Sequence, residues 1–314
     1  MAVAVIVPTI RPQLFADEFL SAWNEQFKKH EVHLFYVVDG EKPEVHYMDF
    51  SSSKQATQIE MNGLPSCVYN FTDAVRNLGF LAAHKLIEPD IYISLDDDVL
   101  PEGDTIGDHI KALTSDVSTN WLNTASDYRM RGLPYNLPKR PVMLSHGTWS
   151  GVPDFDAIQQ LQNPDVRDVD TPKMIVPKLV YFPVCAMNMA FAKELLPYIY
   201  QAPMGKRLIE DGLPVYDRFA DIWGGVTAKY ALDYFLDGVA VSGYAKVHHK
   251  RASKVFVNLR KEAIGMELNE TFYQQVHVLF NPDMLTGHDY LDLYRKRLME
   301  WHGELKYTQN TTHA

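Results

Sequence analysis

Cysteine is nearly absent: Cys67 and Cys185 are the only two in 314 residues, far apart and outside any CxxC or Cys/His spacing. A disulfide framework and a cysteine metal site are thereby excluded, and a reducing compartment is expected. Positive charge is also scarce, with 30 Lys and Arg against 40 Asp and Glu, a formal net charge of −10 and no basic cluster. Nucleic acid and anionic membrane surfaces both need local positive charge, so neither is expected as the main partner. No apolar run approaches the roughly 20 residues that span a bilayer. Met1 to Pro8 has neither a basic leading segment nor a cleavage site, so no signal peptide is expected and the chain is placed in the cytoplasm. The Asn-x-Thr triplets at Asn70, Asn269 and Asn310 then carry no glycan.

What is present is ordinary for an enzyme: 46% hydrophobic and 22% charged residues, enough to bury a sizeable core without staples. Ala2 to Val7 is a β-branched run read as a buried first strand, and Leu14 to Lys29 carries apolar residues at a helical period. His33 to Val38 is a second strand, stopped by Asp39-Gly40; Ala74 to Ile87 reads as a helix and Ile91 to Leu95 as a strand. That alternation predicts an α/β fold with a largely parallel sheet flanked by helices, whose ligands lie beyond the carboxyl ends of the strands. After about residue 115 the pattern loosens into Pro-, Gly- and aromatic-rich loops. Near the end, helical patterns run around Phe272 to Phe280 and Tyr290 to Trp301, and the final residues read as a fraying tail.

Three adjacent carboxylates, Asp96, Asp97 and Asp98, break the strand after Leu95. They repel one another unless a cation compensates them, and Mg2+ or Mn2+ takes a few protein oxygens together with phosphate oxygens. On an extended backbone Asp96 and Asp98 point to one side and Asp97 to the other. Asp98 is therefore assigned to the metal, Asp96 to metal or ribose, with Asp97 at the nucleotide edge. Asp39 could accept the N–H of a uracil ring, or simply form an Asp-Gly turn. Pro8, Thr9 and Arg11 sit at the end of the first strand, and Arg11 and Arg76 could each meet a phosphate or the base. Arg76, however, opens a helix, where exposed arginine is commonplace. His248 and His249 follow a candidate strand from Val239 to Tyr244, and a neutral imidazole there, His249, suits a third metal position. Asp217 and Asp221 flank Arg218 ahead of Trp223-Gly224-Gly225, a combination that suits sugar hydroxyls, although the glycine pair could also serve close helix packing.

The motifs together resemble the reversibly glycosylated polypeptides, or UDP-arabinopyranose mutases, glycosyltransferase-like proteins of the GT-A fold. The resemblance is carried by Ile6-Val7-Pro8-Thr9-Ile10-Arg11, Val38-Asp39-Gly40, Leu95-Asp96-Asp97-Asp98, Asn123-Thr124 and Arg131-Gly132-Leu133-Pro134-Tyr135. It continues through Ser145-His146-Gly147-Thr148-Trp149, Val152-Pro153-Asp154-Phe155-Asp156-Ala157, and the run from Phe182 to Phe191. Asp221-Ile222-Trp223-Gly224-Gly225, His249 with Ala252-Ser253, and Phe256-Val257-Asn258-Leu259 complete it, in order over about residues 3 to 265. The resemblance implies a nucleotide-sugar domain over 1–265, with 266–314 a helical extension of the same unit.

It also implies interconversion of the pyranose and furanose forms of a UDP-sugar, UDP-arabinose first, with a divalent metal and reversible glycosylation of an arginine. Arg131 occupies the family's arginine position, and Arg129 competes for it because Asp127-Tyr128-Arg129-Met130-Arg131 is shortened. A second family arginine falls near Lys139-Arg140. Ala220-Asp221 has one carboxylate fewer than the family pair, which leaves Asp221 as the catalytic acid. Of the family's Cys-rich helix only Ala74, Arg76 and Gly79 fit. A homo-oligomer is also implied. The alternatives are a metal-dependent transferase passing sugar to a separate acceptor, and a non-catalytic sugar-binding partner, which would not need the triplet, Arg131 and His249 together.

Overall fold

The computed structural model describes residues 1–52, 56–61, 63–118, 121, 123–124, 127–169, 171–250 and 254–306. Ala252, Ser253 and Asn310, singled out above, lie outside them. The strands are β1 (Val3–Thr9), β2 (His33–Val38), β3 (Glu44–Asp49), β4 (Thr57–Ile59), β5 (Ile91–Leu95), β6 (Val99–Glu102), β7 (Asp116–Val117), β8 (Arg140–Gly151), β9 (Met174–Val176), β10 (Asn188–Ala192) and β11 (Val239–His249). The α-helices are α1 (Pro12–Leu14), α2 (Leu20–Lys29), α3 (Arg76–Ile87), α4 (Thr105–Leu113), α5 (Ala157–Gln162), α6 (Ala220–Ala231), α7 (Val255–Gln275) and α8 (Asp289–Lys306).

One 11-stranded sheet follows the path β4-β3-β2-β1-β5-β10-β8-β11-β6, with β7 on β8 and β9 on β11. β2, β1 and β5 are parallel, as the strand–helix rhythm requires, and β8 and β11 are parallel further on. β10 runs antiparallel between β5 and β8, so the sheet is mixed: a Rossmann-like α/β sheet flanked by helices. β1 shows why the first run is continuously apolar. Ala4 and Ile6 enter one core with α3, α6 and α8, while Val3, Val5 and Val7 enter the other with α2 and α4. A strand covered on both faces has no polar side to show in its sequence.

Later strands hide differently. β8 carries Ser145 and His146 into the interior, where polar partners satisfy them. His109 of α4 meets Ser145 Oγ at 2.9 Å and Asn188 Oδ1 at 2.8 Å, and His146 Nδ1 meets Ser242 Oγ at 3.0 Å. β11 does not stop at Tyr244; it continues through His248 and His249, which pair with Ser150 and Gly151 of β8. The division expected at residue 265 falls inside α7. The C-terminal helix joins the main core through Tyr290, Tyr294, Leu298 and Trp301, and Trp301 Nε1 donates to Leu196 O at 3.1 Å. No helix among the described residues is long and apolar enough to cross a membrane.

Candidate active site

The carboxyl ends of β5, β8 and β11 open on a cavity of about 920 Å3, large enough for a nucleotide-sugar by the usual scale of ligand sites. Asp96 and Asp98 enter it from the end of β5, Trp149 from β8, His249 from β11 and Asp221 from the start of α6. Asp73 and Arg76, the segment from Val152 to Asp156, and Lys261 and Glu262 of α7 complete much of the wall.

The acidic triplet divides, but not on extended backbone: β5 ends at Leu95, and Asp97 and Asp98 lie in a turn. Asp97 turns away from the cavity: its Oδ2 accepts Thr9 Oγ1 at 2.6 Å and Arg11 Nε at 3.3 Å, and its Oδ1 pairs with Arg11 Nη2. Arg11 also stands 3.7 Å from Asp98 Oδ2. Thr9 and Arg11 thus brace the triplet rather than face the cavity, and Pro8 and Asp39 do not line it either. Arg76 differs from the exposed helix-start residue expected. It is 2% exposed because α3 is buried from Arg76 through Ala83. Its guanidinium donates to Asp96 Oδ1 at 2.6 Å, to Ser94 Oγ at 2.5 Å and to Ala186 O at 3.1 Å. A planar fork with several donors suits that three-way contact, where an ammonium would not.

Burial and the neighbouring Asp96 carboxylate push the Asp98 carboxyl up to about 6. Such an acid is held at its ionised form's expense until positive charge arrives, and hard oxygens of this kind suit Mg2+ or Mn2+. His249 Nδ1 lies 2.9 Å from Val152 O. A carbonyl only accepts, so Nδ1 carries the proton and Nε2 is the nitrogen with a lone pair. Among the described residues no three His, Cys, Asp or Glu side chains converge tightly enough to hold a metal ion by themselves. The donor set fits a cation shared between one or two carboxylates and ligand oxygens, as is usual for Mg2+ at phosphates.

A second acidic group that the sequence did not assemble shares Arg76 with Asp96. Asp221 Oδ2 accepts Ala186 N at 2.8 Å and Oδ1 accepts Ile222 N at 2.9 Å. Burial first, and then Asp73 and Asp154, nevertheless push its carboxyl up to about 7. Burial raises Asp73 as well, against the pull of Arg76. Asp154 bonds to the Cys185 thiol, which burial raises well above its ordinary value. The glycine pair beyond Asp221 answers the packing alternative: a Cβ on Gly224 would lie 2.7 Å from Tyr200 O, and one on Gly225 2.6 Å from Val184 N. Asp73 and Asp154 were missed because only the fold brings them to Asp221; Asp154 does stand inside one of the matched motifs.

Arg129 and Arg131 are not brought to the cavity. Both are exposed, and Arg129 is engaged with Pro134 O and lies over the Tyr135 ring at 5.2 Å. Their segment joins β7 to β8, and β7 pairs with Arg140 and Pro141 at the start of β8. His146, further along β8, is level with Met189 and hence with Ser94. At about 3.3 Å per residue Arg140 lies about 20 Å below that level, at the opposite edge of the sheet. The chain from Arg131 to Arg140 spans at most about 30 Å when fully extended.

A family model described as "Reversibly glycosylated polypeptide" matches residues 1–290. The chain is 31% identical over 301 residues to a "Probable UDP-arabinopyranose mutase 4" of Arabidopsis thaliana, covering 87% of this chain and 78% of that one. It is 32% identical over 298 residues to "UDP-arabinopyranose mutase 3" of the same plant, covering 87% and 77%. It is also 32% identical over 286 residues to "UDP-arabinopyranose mutase 1" of Oryza sativa subsp. japonica, covering 83% and 73%.

Proposed function

Because the chain belongs to the reversibly glycosylated polypeptide family, we propose that it is a UDP-sugar mutase, interconverting UDP-arabinopyranose and UDP-arabinofuranose. The observation that supports this most is the cavity itself, which gathers Asp96, Asp98, Asp73, Asp154 and Asp221 in one lining. Asp96 and Asp98 suit a diphosphate with its cation, and the buried acids Asp221, Asp73 and Asp154 suit a sugar that must lose and regain bonds.

The reaction conserves every atom. UDP leaves C1 with the bonding electron pair, the ring oxygen on C5 is released as a hydroxyl, and the hydroxyl oxygen on C4 closes the smaller ring. UDP then returns to C1. One proton must therefore leave the C4 oxygen and one must reach the C5 oxygen. Asp221, poised to hold or release a proton near neutrality, is the group we assign to that transfer. Arg76 fixes Asp96 against Ser94 and Ala186 O, so the diphosphate wall needs no rearrangement as charge develops. Asp98 and Asp96, with His249 Nε2 beside them, would hold Mn2+ or Mg2+, which supplies positive charge opposite the departing diphosphate.

In the mutase reading Arg131 takes the sugar transiently, and the same segment would have to extend toward the cavity. Arg131 is exposed and does not line the cavity, which favours a second reading, in which the sugar passes to a separate acceptor. The buried, unpaired Cys67 and Cys185 support a reducing compartment such as the cytoplasm, and a homo-oligomer fits the family. The test is incubation of the protein with Mn2+ and UDP-arabinopyranose without acceptor. Formation of UDP-arabinofuranose supports the mutase; turnover only with an added glycan acceptor supports the transferase.

A further inference from the structure

We propose that Phe71 is the platform on which the nucleobase of the bound UDP stacks and that Asp39 is the residue that positions it; this rests on the reading of the cavity as a UDP-sugar site. Phe71 lines the cavity together with Thr72 and Asp73. Its ring is 54% exposed and stacks on no other aromatic ring among the described residues. A single exposed apolar side chain needs no explanation by itself. What sets Phe71 apart is its backbone, which has φ +59°. That left-handed region is unfavourable for a residue with a Cβ, and a bulky one is held there only where its surroundings over-determine it.

The surroundings do so. Asp39 Oδ1 accepts both Phe71 N at 3.0 Å and Gly40 N at 2.8 Å, and Asn70 Nδ2 donates to Gly40 O at 2.9 Å. Asp39 N is itself tied to Thr9 O at 2.9 Å, at the end of the central strand. Behind the turn, a Cβ on Gly205 would stand 2.3 Å from Thr72 Cγ2, so the turn is boxed from below as well. The Asp39 carboxylate is therefore spent on backbone N–H groups, and what it presents to the ligand is the phenyl ring. Tyr181 and Tyr273, also exposed, behave otherwise and pack edge to face on each other at 5.1 Å. An uncharged π face beside the acidic cavity suits a planar heterocycle, whereas the diphosphate belongs at Asp96 and Asp98.

The experiment titrates UDP and, separately, pyrophosphate into the full chain with Mn2+, comparing the parent with Phe71→Gly and Phe71→Trp. Loss of a base–aromatic stack raises the Kd for UDP about five- to a hundredfold in Phe71→Gly. Pyrophosphate affinity stays unchanged, and thermal stability holds or rises, because glycine adopts this φ without strain. Phe71→Trp retains UDP affinity, and its fluorescence is quenched by UDP but not by pyrophosphate. A parent that binds UDP and a Phe71→Gly variant that binds it equally well overturn the proposal alone. Equal losses for UDP and pyrophosphate also overturn it, since the turn would then be shaping the phosphate wall. A parent that does not bind UDP overturns the cavity reading and this inference with it.

Discussion

Asp221→Asn separates the proton-holding role of this residue from its place in the fold. The asparagine is nearly isosteric and its amide oxygen can still accept Ala186 N, so the start of α6 keeps its anchor. In the parent the carboxyl is pushed from 3.8 up to about 7 by burial and by Asp73 and Asp154. The folded state thus keeps a proton that the unfolded state gives up between about pH 4 and pH 7. This contribution to stability is complete below pH 4, declines through that window and is gone above about pH 7. Three pKa units at 1.36 kcal/mol each set an upper bound of about 4 kcal/mol. Partial contact with water leaves about 2 kcal/mol of it. Urea unfolding at pH 5 and pH 8 reads it directly. Stability of the parent falls by about 1.3 kcal/mol more than that of Asp221→Asn over this interval, because the part of the window below pH 5 is already spent, and the variant loses turnover at every pH. Identical pH slopes for the two proteins, or full activity in the variant, would refute the assignment of Asp221 as the proton carrier.

Arg76→Ala leaves Ser94 Oγ and one oxygen of Asp96 without their donor, while Ala186 O keeps the Ser94 hydroxyl at 2.8 Å; a loss of about 3 kcal/mol is expected, smaller than for a fully enclosed pair because Asp96 keeps access to water, and thermal unfolding with a UDP titration will show both the loss and weakened binding. Arg131→Ala should leave the Kd for UDP unchanged while removing any pentose adduct seen by intact mass; an adduct that survives moves the acceptor role to Arg129 or off this chain.

The first third of the chain was legible because short buried strands and the helices between them leave separate periods. His33–Val38 and Ile91–Leu95 have the ends that their composition indicated. The splitting of the triplet was expected from an extended backbone, yet Asp97 and Asp98 lie in a turn after β5, and it is Thr9 and Arg11 that hold Asp97 away from the cavity. Arg76 was misjudged because helix-start position says nothing about depth; α3 is buried from Arg76 through Ala83, and an arginine there is tolerated only through Asp96, Ser94 and Ala186 O. β8 was hidden because its inward polar residues break the apolar pattern. Their partners His109, Asn188 and Ser242 lie on other elements. The meeting of Asp73, Asp154 and Asp221 is likewise a product of tertiary folding. Arg131 shows the converse: a motif position recognisable by resemblance, yet exposed and outside the cavity lining.

The most direct measurement starts from each substrate form separately. Purified protein with Mn2+ is given pure UDP-arabinopyranose in one reaction and pure UDP-arabinofuranose in another, and both nucleotide-sugar pools are followed by chromatography to their end points. A mutase brings the two reactions to the same pyranose-to-furanose ratio, with no free UDP or arabinose accumulating. Steady release of UDP, or end points that keep the form supplied, would contradict the account.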